Sequence, residues 1–191
     1  MWNKVINIGD RKVGATEKPF IIAEMSGNHN QSLERALEIV RSAAKAGGDA
    51  IKLQTYTPET MTIDISEREF IVDLDLWEGA SLFELYGEAY TPWEWHEEIF
   101  KLARELGMIP LSTPFDTTAV ELLESLDADC YKIASFENTD LPLIRRVAST
   151  GKPMIISTGM MDLNDLDETV RAAREAGCED LILLKCTSTY P

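Results

Sequence analysis

The sequence has 191 residues, 45% of them apolar and four of them tryptophan, which is enough material for a sizeable hydrophobic core. Its 33 acidic and 18 basic residues give a formal net charge of −15, which argues against binding to nucleic acid or to an anionic membrane. No apolar run approaches the ~20 residues of a membrane span, and the first residues lack the apolar core of a signal peptide. We therefore expect a globular protein that is neither secreted nor inserted into a membrane.

The three cysteines are irregularly spaced, so the sequence contains neither a disulfide framework nor a paired-cysteine metal motif. This usage is typical of the reducing cytoplasm, which is the location that we predict. We interpret Cys130, Cys178 and Cys186 as small core residues.

The predicted elements begin with a short β-hairpin over residues 5–13, within an N-terminal unit of residues 1–17. Gly9 and Asp10 lie between alternating residues, and both can adopt the positive backbone angles of a two-residue turn. Six apolar runs rich in Ile, Val and Leu follow, and each predicts a buried strand. These runs cover residues 20–26, 50–56, 109–115, 131–137, 154–160 and 181–190.

Five helices are predicted between these strands. In the first, apolar residues recur at helical spacing from Leu33 onward, and Gly47 follows where a left-handed residue is favoured. In the second, Thr91 is predicted to form a capping box with Glu94, and the helix ends before Gly107. The other helices are predicted near residues 117–126, 140–149 and 163–176.

Strands that alternate with helices and are apolar on both faces predict a parallel sheet covered by helices. The first strand is not followed by a glycine-rich dinucleotide or P-loop motif, so a barrel is favoured over an open doubly wound sheet. A complete TIM-type (β/α)8 barrel needs ~250 residues, whereas this sequence stops at Pro191, directly after its sixth strand. We therefore predict that residues 18–191 form an α/β domain, a (β/α)8 barrel truncated after about six βα units.

One connection is much longer than the others. Residues 57–90 separate the second strand from the next helix and contain acidic clusters and aromatic residues. Loops longer than ~15 residues in a compact domain are often lids or binding loops. We interpret this insertion as lid-like because it follows the carboxyl end of a strand; a purely structural surface insertion is the alternative.

Every predicted strand carries polar side chains near its carboxyl end, where parallel α/β folds build their sites. One such hydroxyl is readily explained by hydrogen bonding within a core, but six strands with the same pattern indicate a lined pocket. The residues concerned are Glu24, Ser26, Lys52, Gln54, Ser112, Thr113, Lys132, Ser135, Glu137, Ser157, Thr158, Lys185, Thr187, Ser188 and Tyr190.

The chemistry of these side chains predicts a cradle for a phosphate or a carboxylate. Lys52 and Lys132 would supply positive charge, while hydroxyls and the backbone amides of residues 157–159 would supply hydrogen-bond donors. Glu24 and Glu137 are candidates for proton transfer or for holding sugar hydroxyls. The competing structural interpretation is that the glutamates form buried ion pairs with the lysines.

The fourth strand sets a condition on this pocket. Side chains alternate between the two faces of a strand, so a straight strand would point Lys132 away from the side of Ser135 and Glu137. All three can line one site only if the strand bends or ends near Ala134.

The two histidines do not define a metal site. His29 follows the first strand and could bind a substrate or a metal, whereas His96 is predicted as a partly exposed residue near the start of a helix. The sequence contains no HxH or HExxH spacing. No metal ligand is therefore assigned in these 191 residues.

Seven stretches resemble the catalytic barrel of the sialic acid synthase family, from about residue 18 to the last residue. In chain order they are FIIAEMSGNHNQSLERALEIV, AIKLQTYTP, EAYTPWEWH, STPFD, YKIASFENTDLPLI, GKPMIISTGM and LLKCTSTYP. Within the family, EMSGNHNQS, AYTPWEWH and SFENTDLPLI are most similar to the branch that makes pseudaminic acid.

The resemblance implies that phosphoenolpyruvate condenses with an open-chain diacetamido-trideoxy-altrose to form pseudaminic acid, with release of phosphate. It implies catalytic roles for Glu24, Lys132 and Glu137. Ser188 stands where the family usually has asparagine. The implied substrate-binding residues are Lys52, Gln54, Thr113, Ser135, Ser157, Ser188 and Tyr190.

The resemblance also implies a divalent metal, manganese or magnesium, that polarises the sugar aldehyde. Its two histidine ligands are expected on later strands of the family's barrel, beyond Pro191. A C-terminal antifreeze-like domain, expected to cover the sugar across a homodimer, is likewise absent from these residues. We therefore predict that the 191 residues alone are inactive.

Three alternatives stay open. Synthesis of N-acetylneuraminate or legionaminic acid would use the same pocket. A Schiff-base aldolase would use Lys132 or Lys185 as its covalent nucleophile. A barrel that binds a small molecule without catalysis, or serves only as structure, would need no proton-transfer residue.

Overall fold

The computed structural model describes residues 4–73 and 78–187 of the chain. Within these ranges, six parallel strands form one curled sheet, and helices pack on its outer face. None of the described helices is both long enough and apolar enough to cross a bilayer. The predicted α/β class is confirmed.

An antiparallel hairpin precedes the sheet, as predicted. Its strands are β1 (Ile6–Ile8) and β2 (Arg11–Val13), and they pair across a two-residue turn. Gly9 has a φ of 54°, whereas Asp10 does not adopt a positive φ. Only the glycine of this turn therefore needs the left-handed conformation.

The sheet contains the six predicted strands in chain order, each hydrogen-bonded to the next, as in consecutive units of a (β/α)8 barrel. They are β3 (Ile22–Glu24), β4 (Ala50–Thr55), β5 (Ile109–Pro114), β6 (Tyr131–Ile133), β7 (Met154–Ser157) and β8 (Leu181–Leu184). Every strand ends earlier than predicted, while Glu24, Lys52, Gln54, Thr113, Lys132 and Ser157 remain within the strands.

The five predicted helices are present, and the insertion adds two more. The described helices are α1 (Leu33–Lys45), α2 (Pro58–Met61), α3 (Leu82–Ala89), α4 (His96–Glu105), α5 (Thr117–Ser125), α6 (Leu141–Ala148) and α7 (Leu163–Glu175). Gly47 follows α1 with a φ of 87°, which confirms the left-handed residue expected there.

The capping box predicted at the start of α4 is wrong. A 3-10 turn at Trp93–Trp95 precedes α4, and no side chain caps either element. The Oγ1 atom of Thr91 instead lies 3.1 Å from Nε2 of His29, and both residues are buried. The hydroxyl of Thr91 therefore bonds to His29 and not to the first turn of the helix.

Side chains alternate along the strands, which divides the buried apolar residues into two clusters. The outer cluster lies between the sheet and the helices, and from the strands it includes Ile51, Leu53, Tyr131, Ile133, Met154 and Ile156. The inner cluster contains Ile6, Ile8, Ala50, Ile109, Leu111, Cys130 and Ile155. The hairpin therefore fills the amino-terminal end of the barrel interior and leaves the carboxyl-terminal end for polar groups.

The 57–90 insertion is folded in its described part and lies beside the carboxyl ends of two strands. Besides α2 and α3 it contains a 3-10 turn at Arg68–Phe70. The ring of Tyr56 packs edge to face against Tyr86 of α3 and against Phe115, with ring centroids 5.8 and 5.3 Å apart. The insertion is thus close to the predicted site, and its movement as a lid stays a prediction.

Candidate functional site

A cavity of about 450 Å³ lies at the carboxyl ends of the parallel strands, where the sequence predicts a pocket. Eight of the predicted polar strand-end residues line it: Glu24, Ser26, Lys52, Gln54, Thr113, Lys132, Ser135 and Ser157. Four other residues also line it: Ala134, Phe136, Leu184 and Cys186. The structure therefore brings together side chains from all six parallel strands or the loops that follow them.

Strand alternation separates the polar strand ends into two sets. Lys52 and Gln54 are two residues apart in β4 and point inward, and Gln54 pairs with Thr113 of β5. Ser112, one residue earlier, points outward, and its Oγ lies 2.6 Å from Oγ1 of Thr55. Polar strand ends therefore serve both the cavity and the layer between the sheet and the helices.

Lys132 is the most constrained cation of the cavity. Its Nζ donates to the carbonyl oxygen of Ile133 at 2.8 Å and to Oγ of Ser157 at 2.7 Å. Burial, followed by the nearby charge of Lys52, lowers its pKa to about 8. An ammonium group has three N–H donors, so one of them is left for a ligand.

Lys52 and Glu24 form the second charged pair. Nζ of Lys52 lies 3.4 Å from Oε2 of Glu24, and the two residues are register partners in β4 and β3. The lysine is 7% exposed, whereas the glutamate side chain is 58% exposed. The two side chains therefore form an ion pair, but not the buried pair of the structural interpretation, because the carboxylate is open to solvent at the rim of the cavity.

Thr113 supplies an unused hydroxyl. The residue is 1% exposed, and its Oγ1 has no hydrogen-bond partner among the described residues. A buried polar group without a partner costs free energy, so such a group in a cavity wall indicates that a ligand provides the missing bond. Together with the lysines, this hydroxyl makes the cavity suitable for an anion.

The condition set by the fourth strand is met. Strand β6 ends at Ile133, and the backbone then turns, so that both Lys132 and Ser135 line the cavity. Glu137 is different: it lies further along the turn and is not part of the cavity wall. Because the strand ends at Ile133, Lys132 and Ser135 can therefore line the same site.

The side chain of Glu137 is partly buried beside the insertion. Its Oε2 has no hydrogen-bond partner among the described residues, and burial raises its pKa to about 7. Its negative charge also contributes, after burial, to the raised pKa of Tyr86 on α3. Glu137 therefore lies between the cavity and the insertion, and it can change protonation near neutral pH.

The two histidines have structural positions outside the cavity. The backbone N–H of Gln31 donates to Nδ1 of His29, so Nε2 of His29 carries the hydrogen and donates to Thr91. His29 is fully buried, and burial lowers its pKa. The expectation that His29 could bind a substrate or a metal is therefore not supported.

His96 is also fully buried, which corrects the prediction of a partly exposed residue. Its Nδ1 lies 3.2 Å from the carbonyl oxygen of Pro92, so Nδ1 donates and Nε2 accepts from Thr55 at 2.9 Å. Burial lowers its pKa to about 4. This chain of hydrogen bonds, which continues to Ser112, ties α4 to β4 and β5.

Several other predicted residues differ from expectation. Cys186 lines the cavity and is not a core residue, whereas Cys130 and Cys178 are buried as predicted. Lys185 is exposed and does not line the cavity. The N–H of Thr158 is not available to a ligand, because it donates to the carbonyl oxygen of Leu184 at 2.9 Å.

Three residues at the end of the sequence cannot be compared with expectation. Ser188 and Tyr190, predicted to bind substrate, and Pro191, after which the family's metal ligands are expected, lie outside the described residues. Their predicted roles therefore stay predictions.

The described wall of the cavity does not by itself provide ligands for a cation. Its described wall contains two ammonium groups, and its carboxylate is paired with one of them. In residues 4–73 and 78–187, no cluster of three or more His, Cys, Asp or Glu side chains could hold a metal ion. The expected manganese or magnesium therefore has no ligand set in this part of the chain, and histidine ligands beyond Pro191 stay a prediction.

Ser26 was predicted at a polar strand end without a specific role, and Asn138 was missed by sequence reasoning. Ser26 lines the cavity with a φ of 49°, and non-glycine residues in this conformation concentrate at functional sites. Asn138 is 2% exposed, and its Nδ2 donates to two backbone carbonyls of the loop after β7. The only sequence signal for Asn138 is an amide side chain next to Glu137, which is too weak to predict these contacts.

The chain resembles known proteins over most of its length. It is 47% identical over 175 residues to the pseudaminic acid synthase of Helicobacter pylori, which covers 92% of this chain and 52% of that protein. It is 46% identical to the pseudaminic acid synthase of Campylobacter jejuni, with 92% and 51% covered. The chain thus spans about half the length of the curated relatives that it matches.

Structural comparison gives the same relationship. The crystal structure of the N-acetylneuraminic acid synthetase from Leptospira borgpetersenii matches with a TM-score of 0.86 and 26% identity, covering 99% of this chain and 61% of that one. Residues 39–191 match the NeuB family. The chain therefore belongs to the NeuB family, the sialic acid synthases that its motifs resemble.

Proposed function

We propose that this chain provides the phosphoenolpyruvate site of a synthase that condenses phosphoenolpyruvate with an amino-sugar aldehyde to form pseudaminic acid. The observation that carries the proposal is the convergence of Lys52, Lys132, Ser157 and the unpartnered Thr113 hydroxyl on one cavity. In a chain of net charge −15, two buried lysines in one cavity are a local exception that favours an anion.

Phosphoenolpyruvate carries two groups that such a cavity can bind, a phosphate and a carboxylate. Lys132 has one free N–H donor, and the hydroxyls of Ser157 and Thr113 each retain a hydrogen for an acceptor oxygen. Hydrogen bonds from charged donors to phosphate or carboxylate are short and strong. The cavity can thus hold phosphoenolpyruvate and orient the carbon atoms that lie between its phosphate and its carboxylate.

The proposed reaction joins C3 of phosphoenolpyruvate to C1 of the open-chain sugar. Water adds at C2, and phosphate then leaves by cleavage of the C–O bond. These reaction steps need a group that transfers protons near neutral pH, and Glu137, with a pKa of about 7, has this property. Glu24, at the solvent-exposed rim, is the second proposed acidic group.

The choice of pseudaminic acid is supported by the 46 to 47% identity to two pseudaminic acid synthases. N-acetylneuraminate and legionaminic acid are the alternatives within the family. Location in the cytoplasm and a homodimer are further parts of this proposal.

Two measurements test the proposal. Isothermal titration calorimetry of this chain with phosphoenolpyruvate should show binding at one site, and equal affinity for a neutral analogue would contradict an anion cradle. Phosphate release by the protein that contains this chain, measured with each candidate sugar, should be fastest with the pseudaminic acid precursor. A faster reaction with N-acetylmannosamine would assign it to the N-acetylneuraminate branch.

One observation favours a second candidate. The pKa of Lys132 is lowered to about 8. Lysines that form Schiff bases with carbonyl substrates also have lowered pKa values. Borohydride reduction in the presence of pyruvate would trap such an adduct as a stable secondary amine on Lys132. We expect no adduct by mass spectrometry, because Ser157 and the Ile133 carbonyl already hold the amine. A trapped adduct would favour the aldolase.

A further inference from the structure

Asn138 has no role in the function proposed above, yet it is almost completely buried. It follows Glu137 directly and does not line the cavity. We propose that Asn138 is a positioning residue, which holds the backbone of Ser157 so that its hydroxyl engages Lys132 in the anion cradle. This inference rests on the proposed function.

Both N–H donors of the Asn138 side chain bind carbonyl oxygens of one loop. Nδ2 lies 3.0 Å from the carbonyl oxygen of Ser157 and 2.8 Å from that of Gly159. A carboxamide has two N–H groups, so neither donor is left over. The side chain therefore fixes two carbonyls of the turn between β7 and α7.

Asn138 is itself fixed to the outer helix layer. Its backbone carbonyl oxygen accepts a hydrogen bond of 2.6 Å from the hydroxyl of Thr169, a fully buried residue of α7. The loop after β6, the turn after β7 and helix α7 are thus joined at one residue. Through its neighbour in the chain, the same anchor holds the backbone of Glu137.

The peptide group between Ser157 and Thr158 is held on both sides. Its carbonyl oxygen accepts from Asn138, and its N–H donates to the carbonyl oxygen of Leu184 in β8. A peptide group is planar, so two opposed hydrogen bonds fix its orientation. That orientation directs Oγ of Ser157 to Nζ of Lys132, 2.7 Å away.

The turn after β7 needs such support. Met160 has a φ of 66°, a left-handed conformation that is unfavourable for a non-glycine residue. Strained residues persist only where surrounding contacts hold them. The bond from Asn138 to the carbonyl of Gly159 is directly before this residue. Without Asn138, we expect the turn to relax and Ser157 to move away from Lys132.

Other charged and titratable groups around Lys132 also affect it and must be kept constant. They are Lys52 of β4, Glu24 of β3, Cys186 after β8 and Glu137 in the loop after β6. An asparagine-to-alanine change adds no charge to this group. Asn138→Ala is therefore a cleaner test than Asn138→Asp.

The test is a double-mutant cycle on phosphoenolpyruvate affinity, measured by calorimetry with the full chain. We expect Asn138→Ala and Ser157→Ala each to weaken binding about tenfold, and the double variant to be little weaker than either one. Asn164→Ala, on the exposed start of α7, is the matched control and should bind like the wild type. If Ser157→Ala has the same effect with and without Asn138, the positioning role is refuted.

A second readout does not depend on phosphoenolpyruvate. The side-chain signal of Lys132, assigned by its loss in Lys132→Met, can be titrated by NMR in the unliganded protein. Asn138→Ala should shift its titration, because the Ser157 hydroxyl that accepts from the amine moves away; an unchanged titration would overturn the proposal. If Asn138→Ala does not fold, Thr169→Val removes one anchor and should produce a smaller shift in the same direction. If the wild type binds no phosphoenolpyruvate but the Asn138 and Thr169 variants still shift the Lys132 titration, only the proposed function is refuted.

Discussion

Nζ of Lys132 and Oγ of Ser157 are joined by a buried hydrogen bond of 2.7 Å that connects β6 and β7 on the inner face of the sheet. The bond holds a flexible lysine in one orientation before any ligand arrives. Preorganisation of this kind reduces the entropy lost on binding, because the side chain is already ordered. The predictions below concern this pair, its surroundings and the framework that supports it.

Replacing Lys132 should weaken phosphoenolpyruvate binding. The Lys132→Met variant keeps the apolar stem of the side chain and loses the charged donor, which is worth ~1.5 to 3 kcal/mol, or roughly 10- to 150-fold in affinity. Calorimetry at pH 7 measures the change. Lys101→Met, on the exposed surface of α4, serves as the control, and unchanged affinity in Lys132→Met would contradict the proposed cradle.

Anion affinity should fall at alkaline pH. The pKa of Lys132 is lowered to about 8, so the side chain is charged below this value and becomes neutral above it. Phosphoenolpyruvate should therefore bind best below pH 8 and more weakly as the pH rises toward 9.5. Titrations over this range should show the loss in the wild type and a flatter profile in Lys132→Met. A wild-type profile as flat as that of the variant would show that Lys132 is not the titrating group.

Glu137 should destabilise the fold at neutral and alkaline pH. Its pKa is raised to about 7 in the folded state from 4.5 when unperturbed, so the native state binds more protons between these values. Stability therefore falls as the pH rises through this window, and the penalty is fully present above pH 7. Glu137→Gln should gain on the order of 2 kcal/mol at pH 8 and little at pH 4. Thermal melts of the wild type and Glu137→Gln between pH 4 and pH 8 measure this gain. A stability difference that does not change with pH would contradict the role of Glu137 ionisation.

The hydrogen-bond chain through His96 should be important for stability. In Thr55→Val the buried Nε2 of His96 loses its donor and Ser112 loses an acceptor, at a cost of about 1 to 3 kcal/mol. Urea unfolding measures this cost. The same substitution at the exposed Thr16 should have little effect, and equal stability of the two variants would argue against the chain.

The hairpin should be necessary for a stable barrel interior. Ile8 is fully buried in the inner cluster, so Ile8→Ala should cost about 2 to 5 kcal/mol. Val5, which is 40% exposed, provides the matched control in Val5→Ala. A loss below about 1 kcal/mol in Ile8→Ala would mean that the hairpin does not fill the interior as the structure indicates.

The features that sequence predicted best are local. Continuous apolar runs located all six parallel strands and helical spacing located five helices, because both patterns depend only on neighbours in the chain. Gly47 marked a helix end for the same reason, since its conformation is set by a few adjacent residues. The polar strand ends also identified the cavity correctly, because parallel strands bring their carboxyl ends to one side of the sheet.

The features that sequence could not predict depend on contacts between distant residues. Ser112 and Thr113 are adjacent hydroxyl residues at a strand end, and only the register of β5 decides which one faces the cavity. The residues around Thr91 have the sequence pattern of a helix cap, but its hydroxyl is hydrogen-bonded to a histidine 62 residues away. Glu137 was predicted to line the pocket from its position at a strand end, whereas β6 ends at Ile133 and the following turn brings Glu137 near the insertion.

The two outermost strands of the sheet have a practical consequence for handling the protein. In the described part of the chain, β3 pairs only with β4 and β8 only with β7, so each has one side without a partner strand. Leu183 and Leu184 of β8 are 43% and 42% exposed. Unpaired strand edges with apolar side chains act as templates for other chains. Concentrated samples of these 191 residues should therefore self-associate through these edges, and dilute conditions will give the more faithful binding data.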